Sequence, residues 1–369
     1  MSVYEKYGLK KVINASGKMT ILGVSKVSDS VLEAQKIGGQ NFFEMSELVI
    51  QSGHYIAKLL GAENASVVSS ASAGIAQAVA ALIGRGDVYH TMHPYTPRIT
   101  RREIILPKGH NVNYGTSVEL MVQQGGGIVV EAGYANECSP EQVAMQITEN
   151  TAALLYIKSH HTVQKSMLSI QEMAKIAKEY QLPLIVDAAA EEDLFTYYQQ
   201  GVDLVIYSGA KAIEGPSSGL VVGKEPYVSW IQEQSKGLGR SMKIGKENIL
   251  GFVQAIEDFI IKGSEDGNQM KARLKPFIDS LNQIKGIEAS IVQDTASRAI
   301  YRAKVVITGN HTALEVIKEL KKGETAIYTR EYQANNGVIE FDIRAVDQTE
   351  MFVIVEKLSG ILKVENEDE

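Results

Sequence analysis

The sequence predicts an α/β protein: a large domain on an open, mostly parallel sheet with helices on both faces, and a smaller α+β domain. Three observations predict it. Through the middle of the chain, short apolar runs rich in β-branched residues alternate with amphipathic stretches, the pattern of strands buried on both faces. Near Asn248 the texture changes to a long helical stretch followed by short strands and helices. The length, 369 residues, suits roughly two domains.

In order along the chain, residues 66–68 read as a strand and 73–83 as a helix. A strand at 103–106, a helix at 118–124 and a strand at 128–131 follow. Residues 140–148 are helical and 152–157 a strand; 170–180 are helical and 184–186 a strand. Residues 204–207 and 220–222 are strand-like. Helical spacers between buried strands are what parallel pairing requires. The long helical stretch then runs from about 248 to 277. Strands at 305–307 and 338–343 alternate with helices at 312–321 and 349–362. The expected division is a large domain of residues 45–250, with residues 1–44 joining 251–369 in the small domain. The acidic residues 365–369 read as a frayed, solvated end.

Composition bounds the function. Apolar residues are 44% and charged residues 22%, ordinary for a globular protein with a large core. A net charge of −7 gives no electrostatic footprint for nucleic acid. Cys138 is the only cysteine, so an internal disulfide and a cysteine-based zinc cluster are both excluded, and no metal site is expected. Nothing near Cys138 in sequence marks an activated thiolate. The stretch from Met1 to Lys11 is polar and charged, without a secretory signal. The longest apolar runs, 78–83 and 152–157, fall far short of the roughly 20 residues that span a bilayer. The cytoplasm is the expected compartment.

The chemistry centres on Asp187 and Lys211, 24 residues apart. Ligands of open α/β sheets bind beyond the carboxyl ends of the strands, and both residues follow buried strands. Alone, Asp187 reads as a helix cap and Lys211 as a surface lysine. Together, with Ser208-Gly209-Ala210 before the lysine, they suit pyridoxal 5′-phosphate (PLP). Such a cofactor needs a lysine amine for its imine and a carboxylate for its pyridine nitrogen. A second element is Ser69-Ser70-Ala71-Ser72-Ala73-Gly74, set between a strand and a helix. Small residues there let backbone amides approach a phosphate at a helix N-terminus, although an ordinary N-cap looks the same. The G-x-G-x-x-G dinucleotide fingerprint does not occur at this turn.

The string VDLVIYSGAKAIEGPSSGLVVGK resembles the PLP-lysine segment of fold-type I (aspartate aminotransferase-like) enzymes, in particular the selenocysteine-synthase-like branch. VINASGKMTILG, LLGAENASVVSSASAGIAQAV, GGGIVVEAGYAN and TENTAALLYIKSHH extend the resemblance over most of residues 12–260. Within that branch, LPKGHNVNYG, YIKSHHTVQKSMLS, LIVDAAAEEDL and YSGAKAIEGPSSGL are similar to the D-glucosaminate-6-phosphate ammonia-lyase family.

The resemblance implies that Lys211 is the Schiff-base lysine and Asp187 the partner of the pyridine nitrogen. Ser72, Ala73, Gly74 and Ser208 would cradle the cofactor phosphate, and His110 would stack on the ring. One of His160 and His161 would meet the cofactor's phenolic oxygen or the substrate hydroxyl, and at least one of them reads as structural. The run Glu191-Glu192-Asp193 reads either as an acidic first turn or as a source of the acid for a departing hydroxyl. Arg344 and Arg330 are candidates for the substrate carboxylate, for which an arginine fork is suited. Arg240, Arg98, Arg101, Arg102, Lys243 and Lys246 are candidates for a substrate phosphate. The implied reaction is α,β-elimination of water from a phosphorylated amino sugar acid, then loss of ammonia to give a 2-keto-3-deoxy acid phosphate. A homo-oligomer, at least a dimer, is expected, with residues 240–246 contributing to a neighbouring subunit's site. Two rivals stay open: a selenocysteine-synthase-like transferase acting on aminoacyl-tRNA, and a PLP protein with another lyase chemistry or none. The net charge opposes the transferase, as does a chain that begins close to its core without that family's extra N-terminal region.

Overall fold

The structure, a computed structural model, describes residues 1–294 and 299–363; the acidic end at 365–369 lies outside the described residues. It divides into a larger unit, Val27–Gly263, and a smaller one that joins Met1–Lys26 to the chain from Ser264 onward. Strand β1 (Lys11–Ala15) belongs to the smaller unit.

The larger unit is built on β2 (Asn64–Val68), β3 (Glu103–Pro107), β4 (Ile128–Ala132), β5 (Thr151–Ile157), β6 (Leu184–Asp187), β7 (Leu204–Ser208) and β8 (Gly219–Gly223). They form one seven-stranded sheet in the order β2-β8-β7-β6-β5-β3-β4. Only β8 runs antiparallel to its neighbours; the remaining pairs are parallel. The sheet is therefore mostly parallel, as its apolar runs predict.

Side chains alternate across a strand, and each strand feeds two cores. Ile104, Leu155, Ile185 and Ile206 pack with the helices Ala71–Gly84 and Val118–Gln124. Their neighbours Ile105, Leu154, Val186 and Val205 pack on the other face with Met45–Leu60, Ile170–Glu179 and Lys246–Lys262. The helix Ala71–Gly84 is buried from Ala73 to its end, hence apolar all round. Each Val, Leu or Ile enclosed in this way contributes about 1.5–3 kcal/mol. The sheet thus aligns the carboxyl ends of β2, β3, β5, β6 and β7 along one edge.

The unit boundaries differ from those expected. The helix Asp29–Gln40 lies against Lys246–Lys262, with Gln35 donating to Asn248 at 3.0 Å. Residues from Val27 therefore belong to the larger unit, and the edges fall at 26/27 and 263/264. The predicted continuous helix to about residue 277 is two helices. The first ends at Gly263 in the left-handed region (φ 67°), and Asp266 caps the second, Gly267–Leu281, by accepting the amides of Asn268 and Gln269.

The smaller unit contains β9 (Ile287–Gln293), β10 (Tyr301–Ile307), β11 (Thr325–Thr329) and β12 (Val338–Phe341). β12-β10-β9 form an antiparallel sheet, and β1 pairs in parallel with β11. Helices Gly267–Leu281, Ala313–Leu320 and Gln348–Lys363 bring Leu274, Val316 and Ile354 into a core with Phe341. No helix among the described residues is long and apolar enough to cross a membrane.

Candidate active site

Asp187 is the last residue of β6, 3% exposed, beside Ile206 of β7. Its Oδ1 accepts the Ala189 amide at 3.0 Å and its Oδ2 the Tyr114 hydroxyl at 3.1 Å. Burial pushes its pKa up, against the charge of Lys211 and these two donors. Lys211 lies in the turn after β7, where its amide donates to the Ser208 carbonyl at 3.4 Å and its carbonyl accepts Glu214 N–H at 3.3 Å. The turn closes tightly, with Gly209 N–H on the Ser218 carbonyl at 2.9 Å. A Cβ on Gly209 would stand 2.0 Å from Ser218 Oγ, which explains the glycine two residues before the lysine. The structure thus brings Asp187, Ser208 and Lys211 to the same sheet edge on adjacent strands.

The turn after β2 differs in detail from the expected phosphate cradle. Ser70 caps the helix Ala71–Gly84, its Oγ accepting Ala73 N–H at 3.0 Å, while Gly74 N–H donates to the Ser70 carbonyl at 2.9 Å. The amides of Ala73 and Gly74, expected at the phosphate, are thus engaged within the first turn of the helix. Gly74 serves packing instead: a Cβ there would stand 3.2 Å from Ile206 and Val221 methyls. The donors suited to an anion are the half-buried Ser72 and the first-turn amides of Ala71 and Ser72, which have no carbonyl within the helix.

The resemblance gives His110 the role of stacking on the cofactor ring. The histidine is fully buried, Nε2 donating to the Val163 carbonyl at 3.1 Å, Nδ1 accepting Ile157 N–H at 3.4 Å, and its ring edge-on to Tyr156. Burial lowers its pKa to about 4, and a neutral imidazole with no exposed face has no surface on which a ring can stack. Its neighbour Tyr114, which the sequence reading did not single out, reaches Asp187 instead. The available signal was its place in LPKGHNVNYG, just past β3.

His160 and His161 follow β5 and are exposed, their rings 4.0 Å apart. His161 lies 6.3 Å from the Tyr114 ring, and burial together with the charge of Lys211 lowers its pKa. It is thus electrostatically within reach of the lysine. In the acidic run, Asp193 Oδ1 accepts the Phe195 and Thr196 N–H groups at 2.9 Å just before the short helix Thr196–Gln199, and Glu191 accepts the Tyr197 hydroxyl at 3.0 Å. Asp193 is structural.

Several candidate phosphate cations are committed elsewhere. Buried Arg102 donates to the carbonyls of Ile99, Pro94, Gly126 and Thr96. Arg101 donates to Leu82 O at 3.1 Å, and Arg98 stacks on Tyr89. Lys246 meets the Gly38 and Gly39 carbonyls at 2.6 and 3.0 Å, a partner that its own stretch of sequence does not reveal. Arg240 and Lys243 are exposed. In the smaller unit, Arg344 is paired with buried Asp342, and Arg330 faces Glu340 at 3.7 Å and the Tyr332 ring.

These residues fit PLP. A buried carboxylate whose burial penalises its charge requires a cationic donor, which a pyridinium N–H supplies, and an amine and a helix N-terminus stand at the same edge.

Comparisons agree. Residues 49–247 match the family described as Cys/Met metabolism PLP-dependent enzyme. D-glucosaminate-6-phosphate ammonia lyase of Salmonella typhimurium is 43% identical over 98% of both chains. A 5′-C-glycyluridine monooxygenase-decarboxylase of Streptomyces is 33% identical over 97% of this chain and 92% of that one. An L-seryl-tRNA(Sec) selenium transferase of Clostridium botulinum is 25% identical, over 96% and 83%. The solved structure of a D-glucosaminate-6-phosphate ammonia-lyase superposes with a TM-score of 0.93 over 99% of both chains at 43% identity. Aspartate aminotransferase of Thermus thermophilus shares the fold alone, at a TM-score of 0.54 and 15% identity over 97% of this chain and 93% of that one.

Proposed function

The chain belongs to the Cys/Met-metabolism family of PLP-dependent enzymes and to the D-glucosaminate-6-phosphate ammonia-lyase family, and from this premise we propose its reaction. It is a PLP-dependent carbon–nitrogen lyase. It converts D-glucosaminate 6-phosphate, or a similar phosphorylated amino sugar acid, to a 2-keto-3-deoxy acid phosphate and ammonia. The observation that carries this reading is likeness over the whole chain, 43% identity across 98% of both proteins. The transferase reading rests on a 25% identical relative and ranks behind it.

PLP, when bound, supplies an electron sink for the α-carbon of an amino acid. In this proposal Lys211 holds the cofactor and moves the proton at Cα. Asp187 presents its carboxylate to the ring nitrogen. Ser72, Ser208 and the start of the helix Ala71–Gly84 bind the cofactor phosphate. His160 or His161 delivers a proton to the departing hydroxyl; burial and the charge of Lys211 favour the neutral form of His161. Arg344 and Arg330 take the substrate carboxylate, and Arg240 with Lys243 its phosphate. The proposed setting is cytoplasmic.

The proposal includes a homo-oligomer. Phe42 is fully exposed, and Leu32, Ile37 and Met45 nearby are also exposed, an apolar surface suited to a second copy of the chain. A monomeric mass with full activity would rule this out. The test of function is direct. PLP-loaded protein given D-glucosaminate 6-phosphate releases ammonia and a 2-keto acid in equal amounts. PLP uptake without keto acid from any member of a panel of amino sugar acids would overturn the reaction.

A further inference from the structure

We propose that Tyr114 is a positioning residue for the cofactor: its hydroxyl orients the Asp187 carboxylate and holds it as the anion that faces the PLP ring nitrogen. The inference rests on the PLP reading above.

The carboxylate is held at two points, Oδ1 by the Ala189 amide at 3.0 Å and Oδ2 by the Tyr114 hydroxyl at 3.1 Å. The terminal torsion of an aspartate is broad; two donors on opposite oxygens fix its plane. Each oxygen retains further lone-pair capacity, so a ring N–H is a third donor that the carboxylate can accept. Removing either fixed donor leaves the plane free to turn.

The tyrosine has few other uses for its proton. Its hydroxyl also lies 3.9 Å from Met121 Sδ, a weak acceptor. Its backbone is pinned past β3, with Tyr114 N–H on the Thr116 carbonyl at 3.2 Å inside a turn closed by the Asn113–Ser117 bridge. Burial and the Asp187 charge push the phenol pKa upward, so it remains a donor at every working pH. Burial alone pushes Asp187 towards its neutral form, and the Tyr114 bond opposes that. A neutral acid would not stabilise a charge on the ring nitrogen. Tyr114 thus acts on the cofactor through Asp187.

The experiment compares wild type with Tyr114→Phe, each loaded with PLP carrying ¹⁵N in its ring. In the wild type the ring nitrogen resonates as the protonated form across neutral pH. In Tyr114→Phe its titration moves down by about one pH unit, and kcat falls roughly tenfold with KM little changed, the size expected for a hydrogen bond to a charged group. In an Asp187→Asn background, Tyr114→Phe shifts neither quantity further. Tyr114→Met, which also lacks the hydroxyl, gives the same comparison if the phenylalanine variant does not fold. A ring nitrogen that titrates as in wild type overturns the proposal, and so does an equal loss in the Asp187→Asn background. Wild-type protein that takes up no PLP overturns the cofactor reading as well. PLP uptake with an unshifted ¹⁵N signal overturns only the role of Tyr114.

Discussion

Arg344 grips Asp342 at two points, Nε to Oδ1 at 2.9 Å and Nη2 to Oδ2 at 2.8 Å, beneath the surface of the smaller unit. Arg302 Nε meets the same carboxylate at 3.2 Å, and Asp342 has no exposed surface. Burial works against its charge, yet the two guanidinium groups hold its pKa down to about 2. In the unfolded chain Asp342 returns to the ordinary value near 3.8. Its contribution is therefore complete above about pH 4 and lost as the pH falls through about 2. Asp342→Asn takes one of two carboxylates from buried Arg302, which keeps Asp294, and the paired carboxylate from half-buried Arg344, and should destabilise the protein by about 3 kcal/mol. Thermal unfolding against pH checks both parts: the variant melts lower at neutral pH and loses less stability between pH 4 and 2. An unchanged acid slope would mean that another carboxylate governs it.

Asp187→Asn tests the centre of the site. The amide keeps the shape of the side chain but carries no charge to stabilise a protonated ring nitrogen. PLP should still bind, while turnover falls by roughly 10²-fold or more, on the order of 3 kcal/mol of barrier. Reduction with borohydride should fix the cofactor onto Lys211 in both proteins, read by peptide mass mapping. Wild-type turnover in the variant, or an adduct on another lysine, would show that the pair has been misassigned.

His110 should act on stability rather than on the cofactor. Its pKa is about 4 in the fold against an ordinary 6.5, because burial disfavours the imidazolium. Between those values the unfolded chain takes up a proton that the folded one refuses. Stability is full above pH 6.5 and falls as the pH drops towards 4, by about 3 kcal/mol. His110→Gln should flatten that slope while PLP is retained at neutral pH. Rapid loss of PLP with an unchanged slope would restore the ring-stacking role.

The strands that carry the site were legible because burial on both faces leaves unbroken apolar runs, as at 152–157 and 204–207. Asp187 and Lys211 were legible because each follows such a run. What escaped depended on contacts distant in sequence. The bond from Tyr114 to Asp187 spans 73 positions, and Lys246 finds Gly38 across 208. His110 looked like a ligand because it follows a strand, and only the enclosing Val163 and Tyr156 show otherwise. β9 was missed because most of its residues are not buried, so its run has no strong period.

The last prediction concerns the substrate phosphate. Among the cations proposed for it, Arg102 and Lys246 each donate to several backbone carbonyls, Arg101 donates through Nη2 to Leu82 O, and Arg98 lies on the Tyr89 ring. Arg240 and Lys243 are exposed, so a dianion can reach them without breaking the fold. A phosphate held by such residues gains binding energy equally in ground and transition states, which lowers KM and leaves kcat alone. Arg240→Ala and Lys243→Ala should therefore each raise KM for D-glucosaminate 6-phosphate about tenfold with kcat within twofold, since a charge-assisted hydrogen bond contributes about 1.5–3 kcal/mol. The same variants should handle unphosphorylated D-glucosaminate as the wild type does. Steady-state kinetics on both compounds decide the matter. Equal kcat/KM for the two compounds in wild type would remove the phosphate preference. A loss in the variants on both compounds alike would place Arg240 and Lys243 elsewhere in the enzyme's work.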